Sequence, residues 1–180
     1  MKNLEMRFSG AGGQGLQLCA KIFSSALTGE GYHVSMSQSY EPTSRGGLSR
    51  ADIVASAGTP DYPLTTDLDT LLILDQAAAE ASEGLIRDGA LVIIDPRRTK
   101  NPPKGKFKVI ELPLSATAIA LGSERITNVV ATGVIAELSE DIDLEIIESA
   151  LRSISPKKFL TLNMDALRAG VDLARGAKAA

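Results

Sequence analysis

The sequence predicts an α/β fold, a Rossmann-like three-layer sandwich on a mostly parallel sheet with one antiparallel strand pair. Three observations carry this. First, a short apolar run with Leu4, Met6 and Phe8 on one face leads straight into Gly10-Ala11-Gly12-Gly13-Gln14-Gly15 and then into Leu16, Cys19, Ala20 and Phe23 at helical spacing. Strand, glycine turn and helix in that order open a nucleotide-binding α/β unit. Second, the runs at 69–74 and 90–94 are continuously apolar, as in parallel strands buried on both faces. Third, only twelve residues separate the strands expected at 32–37 and 50–57, and Pro42 and Gly46-Gly47 among them argue against a helix. A parallel crossover usually takes a dozen or more residues and a helix, so these two strands should pair antiparallel.

In chain order, the first strand spans about 4–9 and the first helix about 13–28, closed by Gly29-Glu30-Gly31. Tyr32 to Ser37 alternates and reads as the second strand, and 38–48 reads as a polar loop. The third strand follows at 50–57, then a turn-rich stretch containing Pro60 and Pro63. After the buried strand at 69–74, Asp75 is placed to cap an alanine-rich helix at 76–87. Gly89 precedes the strand at 90–94, and a last short strand falls at 109–112. Helices are expected at 115–121, 128–138, 144–153 and 163–175, with fraying from Gly176 onward. There is no repeat and no internal linker, so residues 1–180 are expected to form one domain.

Composition narrows the function classes. The content is 44% hydrophobic and 23% charged, as in soluble globular proteins. A net charge of −3 gives no general attraction to nucleic acid or anionic membrane. No apolar run is long enough to span a bilayer and the N-terminus lacks a signal pattern, so a cytoplasmic setting is expected. One cysteine and one histidine exclude an internal disulfide and an iron–sulfur cluster held by this chain alone, and disfavour a zinc site.

Three motifs are candidates for binding. Gly10, Gly12 and Gly15 satisfy G-x-G-x-x-G after a strand and before a helix, where backbone N–H groups and the helix dipole suit a phosphate. A dinucleotide site would add an acid at the end of the second strand, but that place reads Ser35-Met36-Ser37-Gln38-Ser39. A P-loop lacks its Lys-Ser/Thr pair. The plain alternative is a tight turn that packs closely and binds nothing. In the following loop, Arg45 beside Gly46 and Gly47 is an anion clamp or a solvated side chain. The run Arg97, Arg98, Lys100, Lys104, Lys106 and Lys108 follows a strand end, and meets a polyphosphate or an acidic partner only if it shares the glycine edge. Cys19 and His33 read as structural, and Asp75 and Asp95 as capping or turn residues. No nucleophile set or carboxylate pair stands out.

Together, Gly10-Ala11-Gly12-Gly13-Gln14-Gly15, Ser39-Tyr40 and Arg45-Gly46-Gly47 resemble the gamma subunit, or gamma domain, of 2-oxoacid:ferredoxin oxidoreductases. Pro63 with Asp69, Asn128 with Gly133, and Asn163 with Gly170 extend the resemblance over nearly the whole chain. One departure concerns the residues before the RGG, which often read Tyr-Gly-Pro-Glu in that family and here read Tyr40-Glu41-Pro42-Thr43. The subtype among 2-oxoglutarate, pyruvate, branched-chain and aryl-pyruvate enzymes stays open, although a free-standing chain of this size most resembles the four-subunit 2-oxoglutarate type. The resemblance implies a non-catalytic subunit that is inactive alone. Its partners would be alpha and beta subunits carrying thiamine diphosphate and a ferredoxin-like delta subunit, with iron–sulfur clusters on other chains. It further implies that Gly10, Gly12, Gly13, Gln14, Gly15, Ser39, Tyr40, Arg45, Gly46 and Gly47 help to receive coenzyme A. A purely structural assembly subunit and an independent NAD-binding protein are the alternatives.

Overall fold

The computed structural model describes residues 3–41, 47–59, 62–139 and 141–179. Six strands form one sheet: β1 (Leu4–Ala11), β2 (His33–Tyr40), β3 (Leu48–Ser56), β4 (Leu68–Ile73), β5 (Ile86–Ile94) and β6 (Lys108–Glu111). Their order is β2-β3-β1-β4-β5-β6. β1, β4, β5 and β6 are parallel, and β3 is antiparallel to both β1 and β2. The expected antiparallel pair is therefore present, and β3 lies between the first two strands. The acid of a dinucleotide site would stand at the end of a strand beside β1, and here β2 is one strand further out.

Period-2 alternation assigns the two faces of β1. Leu4, Met6 and Phe8 join the main core, while Arg7 and Ser9 are buried on the opposite face. The main core is roofed by α1 (Leu16–Gly29), α3 (Leu114–Ala120), α4 (Thr127–Leu138), α5 (Leu144–Ile154) and α6 (Leu160–Ala179). α4 is buried all round from Asn128 to Ala136, with Asn128 and Thr132 the polar residues of that stretch, as befits a helix enclosed by others. Gly133 and Gly170 set the α4–α6 approach, because a Cβ on either would run into the backbone carbonyl of Leu167 or Val130 on the facing helix.

The other face carries a smaller cluster of Leu71, Ile73, Val92 and Ile94 under α2 (Gln76–Glu80). Beside it the Arg7 guanidinium donates to both Asp52 carboxylate oxygens at 2.8 Å, to Thr65 Oγ1 at 3.0 Å and to Ser82 Oγ at 3.4 Å. Burying these charges is tolerable because the pair is bidentate and satisfied.

Several expected boundaries move. The helix expected at 76–87 ends at Glu80, since Gly84 turns with φ 82° and Ile86 to Asp88 already belong to β5. β2 continues to Tyr40 and β3 begins at Leu48, so the loop expected at 38–48 is closed by Glu41 N–H donating to Leu48 O at 2.9 Å. An edge strand wetted on both faces needs no apolar alternation, which is why Gln38-Ser39-Tyr40 carries no strand pattern. The first helix begins at Leu16, three residues later than expected. The last helix starts at Leu160 and runs to Ala179, with Lys178 tied to Glu137 where fraying was expected. The expected capping roles hold. Asp75 accepts from Ala77 N–H at 3.1 Å, and Asp95 accepts from Arg97 N–H at 2.9 Å and Ser115 N–H at 2.7 Å.

Candidate functional site

The glycine turn leaves β1 at the carboxyl edge of the sheet, where the chain's connections diverge. From β1 the chain passes to β2 and β3 on one side, and from β4 it passes to β5 and β6 on the other. Open α/β sheets bind ligands at such a point. Gly13 and Gly15 have φ 92° and 73°, a left-handed region that L side chains avoid. Gly15 is the N-cap of α1, and no side chain caps that end. The first N–H groups of the helix thus face the edge with the positive end of the dipole behind them.

The six residues of the motif divide between two jobs. Gln14 is committed to the turn, since its Oε1 accepts from Ala11 N–H at 2.7 Å and its Nε2 donates to Leu74 O at 3.0 Å. A Cβ on Gly10 would strike that Gln14 side chain. A Cβ on Gly15 would strike the Asn128 carboxamide, whose Nδ2 donates to Gly15 O at 3.0 Å. Gly10, Gln14 and Gly15 therefore build the turn. Gly12 and Gly13 are exposed, and a Cβ on either meets nothing closer than Gly47 O at 3.8 Å from Gly12. These two offer bare backbone to a ligand.

The second motif meets the first. Gly12 N–H donates to Gly47 O at 3.0 Å, across the β1–β3 junction. Gly10 and Tyr40 both pair with Ser49, from opposite sides, which places them two strand spacings apart, about 10 Å. Ser39 and Tyr40 are exposed on the same edge, Tyr40 at 71%. Arg45 and Gly46, expected in the site, lie outside the described residues.

The basic run does not stay on this edge. Arg97 and Arg98 leave β5 beside it, whereas Lys106 pairs with Asp88 at 3.7 Å near the start of β5. Seven residues of extended strand separate Asp88 from Asp95, about 23 Å. Only the first part of the run can serve the glycine edge. There, Arg98 pairs with Glu124, and the hydrogen bond to that carboxylate is the chief cause that raises the Arg98 pKa.

A cavity of about 190 Å³ opens beside Gly13, Gln14 and Leu74 and is walled by Arg98, Glu124 and Arg125. Arg125 was not singled out in the sequence, where nothing but its place after Ser123-Glu124 distinguishes it. A larger cavity of about 640 Å³ lies between the 101–107 segment and Glu80, Glu83 and Asp88. Of the sequence-marked residues it touches only Lys104 and Lys106, and its charges are mixed.

Cys19 is fully buried and its thiol is pushed up to about 12 by burial. His33 is exposed on the edge strand. Among the described residues no group of three or more His, Cys, Asp or Glu is placed to hold a metal ion, and no helix is long and apolar enough to cross a membrane.

Comparison with known proteins agrees with this geometry. The pyruvate ferredoxin/flavodoxin oxidoreductase family matches residues 5–173. The 2-oxoglutarate synthase subunit KorC of Methanothermobacter thermautotrophicus is 31% identical over 94% of both chains. The ketoisovalerate oxidoreductase subunit VorA of Methanothermobacter marburgensis is 29% identical over 97% of this chain, which spans only 37% of that longer protein. Among solved structures, the gamma subunit of the keto/oxoacid ferredoxin oxidoreductase of Geobacter sulfurreducens superposes with a TM-score of 0.88. It is 33% identical over 98% of this chain and 99% of that one. The fold also recurs in the 2-oxoglutarate:ferredoxin oxidoreductase of Magnetococcus marinus, solved with 2-oxoglutarate, coenzyme A and succinyl-CoA. There the TM-score is 0.84, at 22% identity over 98% of this chain and 32% of that one. The chain therefore belongs to the pyruvate ferredoxin/flavodoxin oxidoreductase family, among its gamma-type members.

Proposed function

We propose that this chain is the gamma subunit of a thiamine-diphosphate-dependent 2-oxoacid:ferredoxin oxidoreductase acting on 2-oxoglutarate, and that its glycine edge helps to receive coenzyme A. The observation that carries the reading is the Gly12–Gly47 hydrogen bond. It joins the two glycine motifs into one exposed edge at the divergence of β1 and β4. Coenzyme A supplies the thiol that accepts the acyl group. The residues of this chain fit its phosphates better than its chemistry. Gly12 and Gly13 present backbone without Cβ, the N-terminus of α1 has no side-chain cap, and Arg98 and Arg125 add guanidinium groups. No ribose-binding acid is needed, because the ribose of coenzyme A bears a phosphate at the 3′ position.

This chain has a single cysteine, buried and held as the thiol, whereas a cluster takes about four thiolates. Thiamine diphosphate and the clusters are accordingly assigned to alpha, beta and delta partners. The choice of 2-oxoglutarate follows the similarity to KorC, which the match covers over 94% of its length.

The test is reconstitution. The complex with this chain should form acyl-CoA and reduce ferredoxin. Full turnover at unchanged coenzyme A affinity in a complex lacking the chain would end the proposal. A purely structural role would instead show as loss of assembly, with no change in coenzyme A affinity in the complexes that do form.

A further inference from the structure

The two outer strands of the sheet are built differently. β6 is four residues long, carries Lys108 and Glu111, and follows a basic segment with Pro102 and Pro103. Short length, charge and nearby proline are the usual means of keeping a strand edge unpaired. β2 has none of them. From His33 to Tyr40 it is eight residues without Pro, Lys, Arg, Asp or Glu, and it pairs with β3 residue for residue, with no bulge. One bond shows which of its backbone groups are left over. Glu41 N–H donates to Leu48 O at 2.9 Å, so residue 41 turns its backbone groups toward β3. Along an antiparallel ladder this orientation alternates, so Ser39, Ser37, Ser35 and His33 turn theirs to β3 as well. The N–H and C=O groups of Val34, Met36, Gln38 and Tyr40 therefore point out of the sheet edge. The side chains of these four lie on the main-core face, since Val34 pairs with Ala55 and Met36 with Ile53. Two of them, Met36 and Tyr40, are large apolar side chains left exposed, at 38% and 71%.

We propose that β2 is a dimerisation edge, pairing antiparallel with β2 of a second copy of this chain about a two-fold axis through Ser37. The strand is self-complementary in that register. With Ser37 opposite Ser37, Met36 of one copy meets Gln38 of the other and Val34 meets Tyr40, so every outward N–H of each copy donates to the other. On the main-core face the exposed Tyr40 ring covers Val34 of the second copy. On the opposite face Ser35 meets Ser39, and His33 stands opposite Glu41 of the second copy. A donor thus faces an acceptor at both ends of the paired strands, which favours the contact and fixes its register. Moving the axis to Met36 or to Gln38 removes the His33–Glu41 contact and sets Tyr40 or Val34 against residues outside the strand. β1 runs parallel to β2, so the antiparallel pairing carries the two glycine edges to opposite sides of the joined sheet. Neither edge blocks the other. A single strand pair buries little area, which makes the contact weak and concentration-dependent.

The experiment is sedimentation equilibrium of the full-length chain, followed by oxidative cross-linking. Wild type should pass from monomer to dimer mass as its concentration rises through the micromolar range to about 1 mM. Gln38→Pro removes an outward N–H and no bond to β3. It should remain folded by urea unfolding, yet need about tenfold or more higher concentration to dimerise. Ser37 opposite Ser37 is a non-hydrogen-bonded pair with Cα atoms about 4.5 Å apart, within reach of a disulfide. Ser37→Cys should therefore oxidise to a covalent dimer, and the buried Cys19 does not compete. Ser35→Cys alone and Ser39→Cys alone should not, because like positions then lie about 13 Å apart, whereas a mixture of the two should. A chain that stays monomeric at about 1 mM would overturn the proposal, as would a folded Gln38→Pro chain that dimerises like wild type. Equal cross-linking of all three cysteine variants would also sink it, since random collision has no register. So would a monomeric chain whose outward β2 amides gain protection from hydrogen exchange only when other subunits are added, which would give the edge to a strand of a different subunit. Each of these failures leaves the function proposed above standing.

Discussion

Gly15 and Asn128 form the joint that holds the glycine turn against the helical layer, and their coupling can be measured. Gly15 has φ 73°, which costs an alanine about 1–2 kcal/mol. A Cβ there would also lie 2.9 Å from Asn128 Cγ, inside van der Waals contact. Asn128 is 3% exposed and cannot swing into solvent, so it must give up its bond to Gly15 O. Leaving that buried amide unpaired costs about 1–3 kcal/mol. Gly15→Ala should therefore destabilise by about 2–5 kcal/mol. Asn128→Ala loses the same bond and opens space, for about 1–2 kcal/mol. In the double variant the obstruction is gone and only the backbone strain of the Gly15→Ala change adds, so the sum should fall short of additivity by about 1–3 kcal/mol. Urea unfolding of the four proteins gives the cycle. Additivity within about 0.5 kcal/mol would refute the claim that the carboxamide, and not the backbone angle alone, demands glycine here.

Two further expectations concern the buried groups. Arg7→Met should cost about 3–5 kcal/mol by stranding the buried Asp52 carboxylate, whereas Arg7→Met with Asp52→Leu should recover most of the loss; chemical denaturation reads both. The Cys19 thiol is raised from 9.0 to about 12 in the folded chain, so the unfolded state releases its proton first as pH rises. The folded state then binds more protons, and stability must fall between these values, by up to about 1.4 kcal/mol per pH unit. Wild type should lose stability relative to Cys19→Ala from about pH 9 upward, and a pH-independent difference would contradict this. At neutral pH the thiol should stay silent to a thiol reagent until the chain unfolds.

The parts of the fold set by local chemistry were legible in advance. Glycine spacing marked the β1–α1 turn, continuous apolar runs marked β4 and β5, and the short polar connection gave the antiparallel β2–β3 pair. Helix 76–87 was over-read because alanine-rich residues have helical propensity, while Gly84 and the pairing of Ile86 with Leu68 claim its second half for a turn and a strand. Ser39 and Tyr40 read as loop because an edge strand does not alternate. In the site, the motifs located the backbone but not the charges. Gln14 looks like a ligand-facing residue in the sequence, yet its amide is spent on Ala11 and Leu74. Arg125 carries no motif, and only the folding of the turn before α4 onto the glycine edge gives it a role. The basic run looked like one unit, whereas parallel strands carry its two ends to opposite edges of the sheet.

Gly12 offers the most direct test of the binding edge. A Cβ there would meet no described atom closer than Gly47 O at 3.8 Å, and Gly12 is not among the positive-φ glycines. Gly12→Leu should leave folding and assembly intact while occupying the place where a ligand approaches the backbone. In the reconstituted complex the KM for coenzyme A should rise about tenfold or more, with the KM for the 2-oxoacid unchanged. An assembled Gly12→Leu complex with wild-type KM for both would contradict the account and leave this chain a structural subunit.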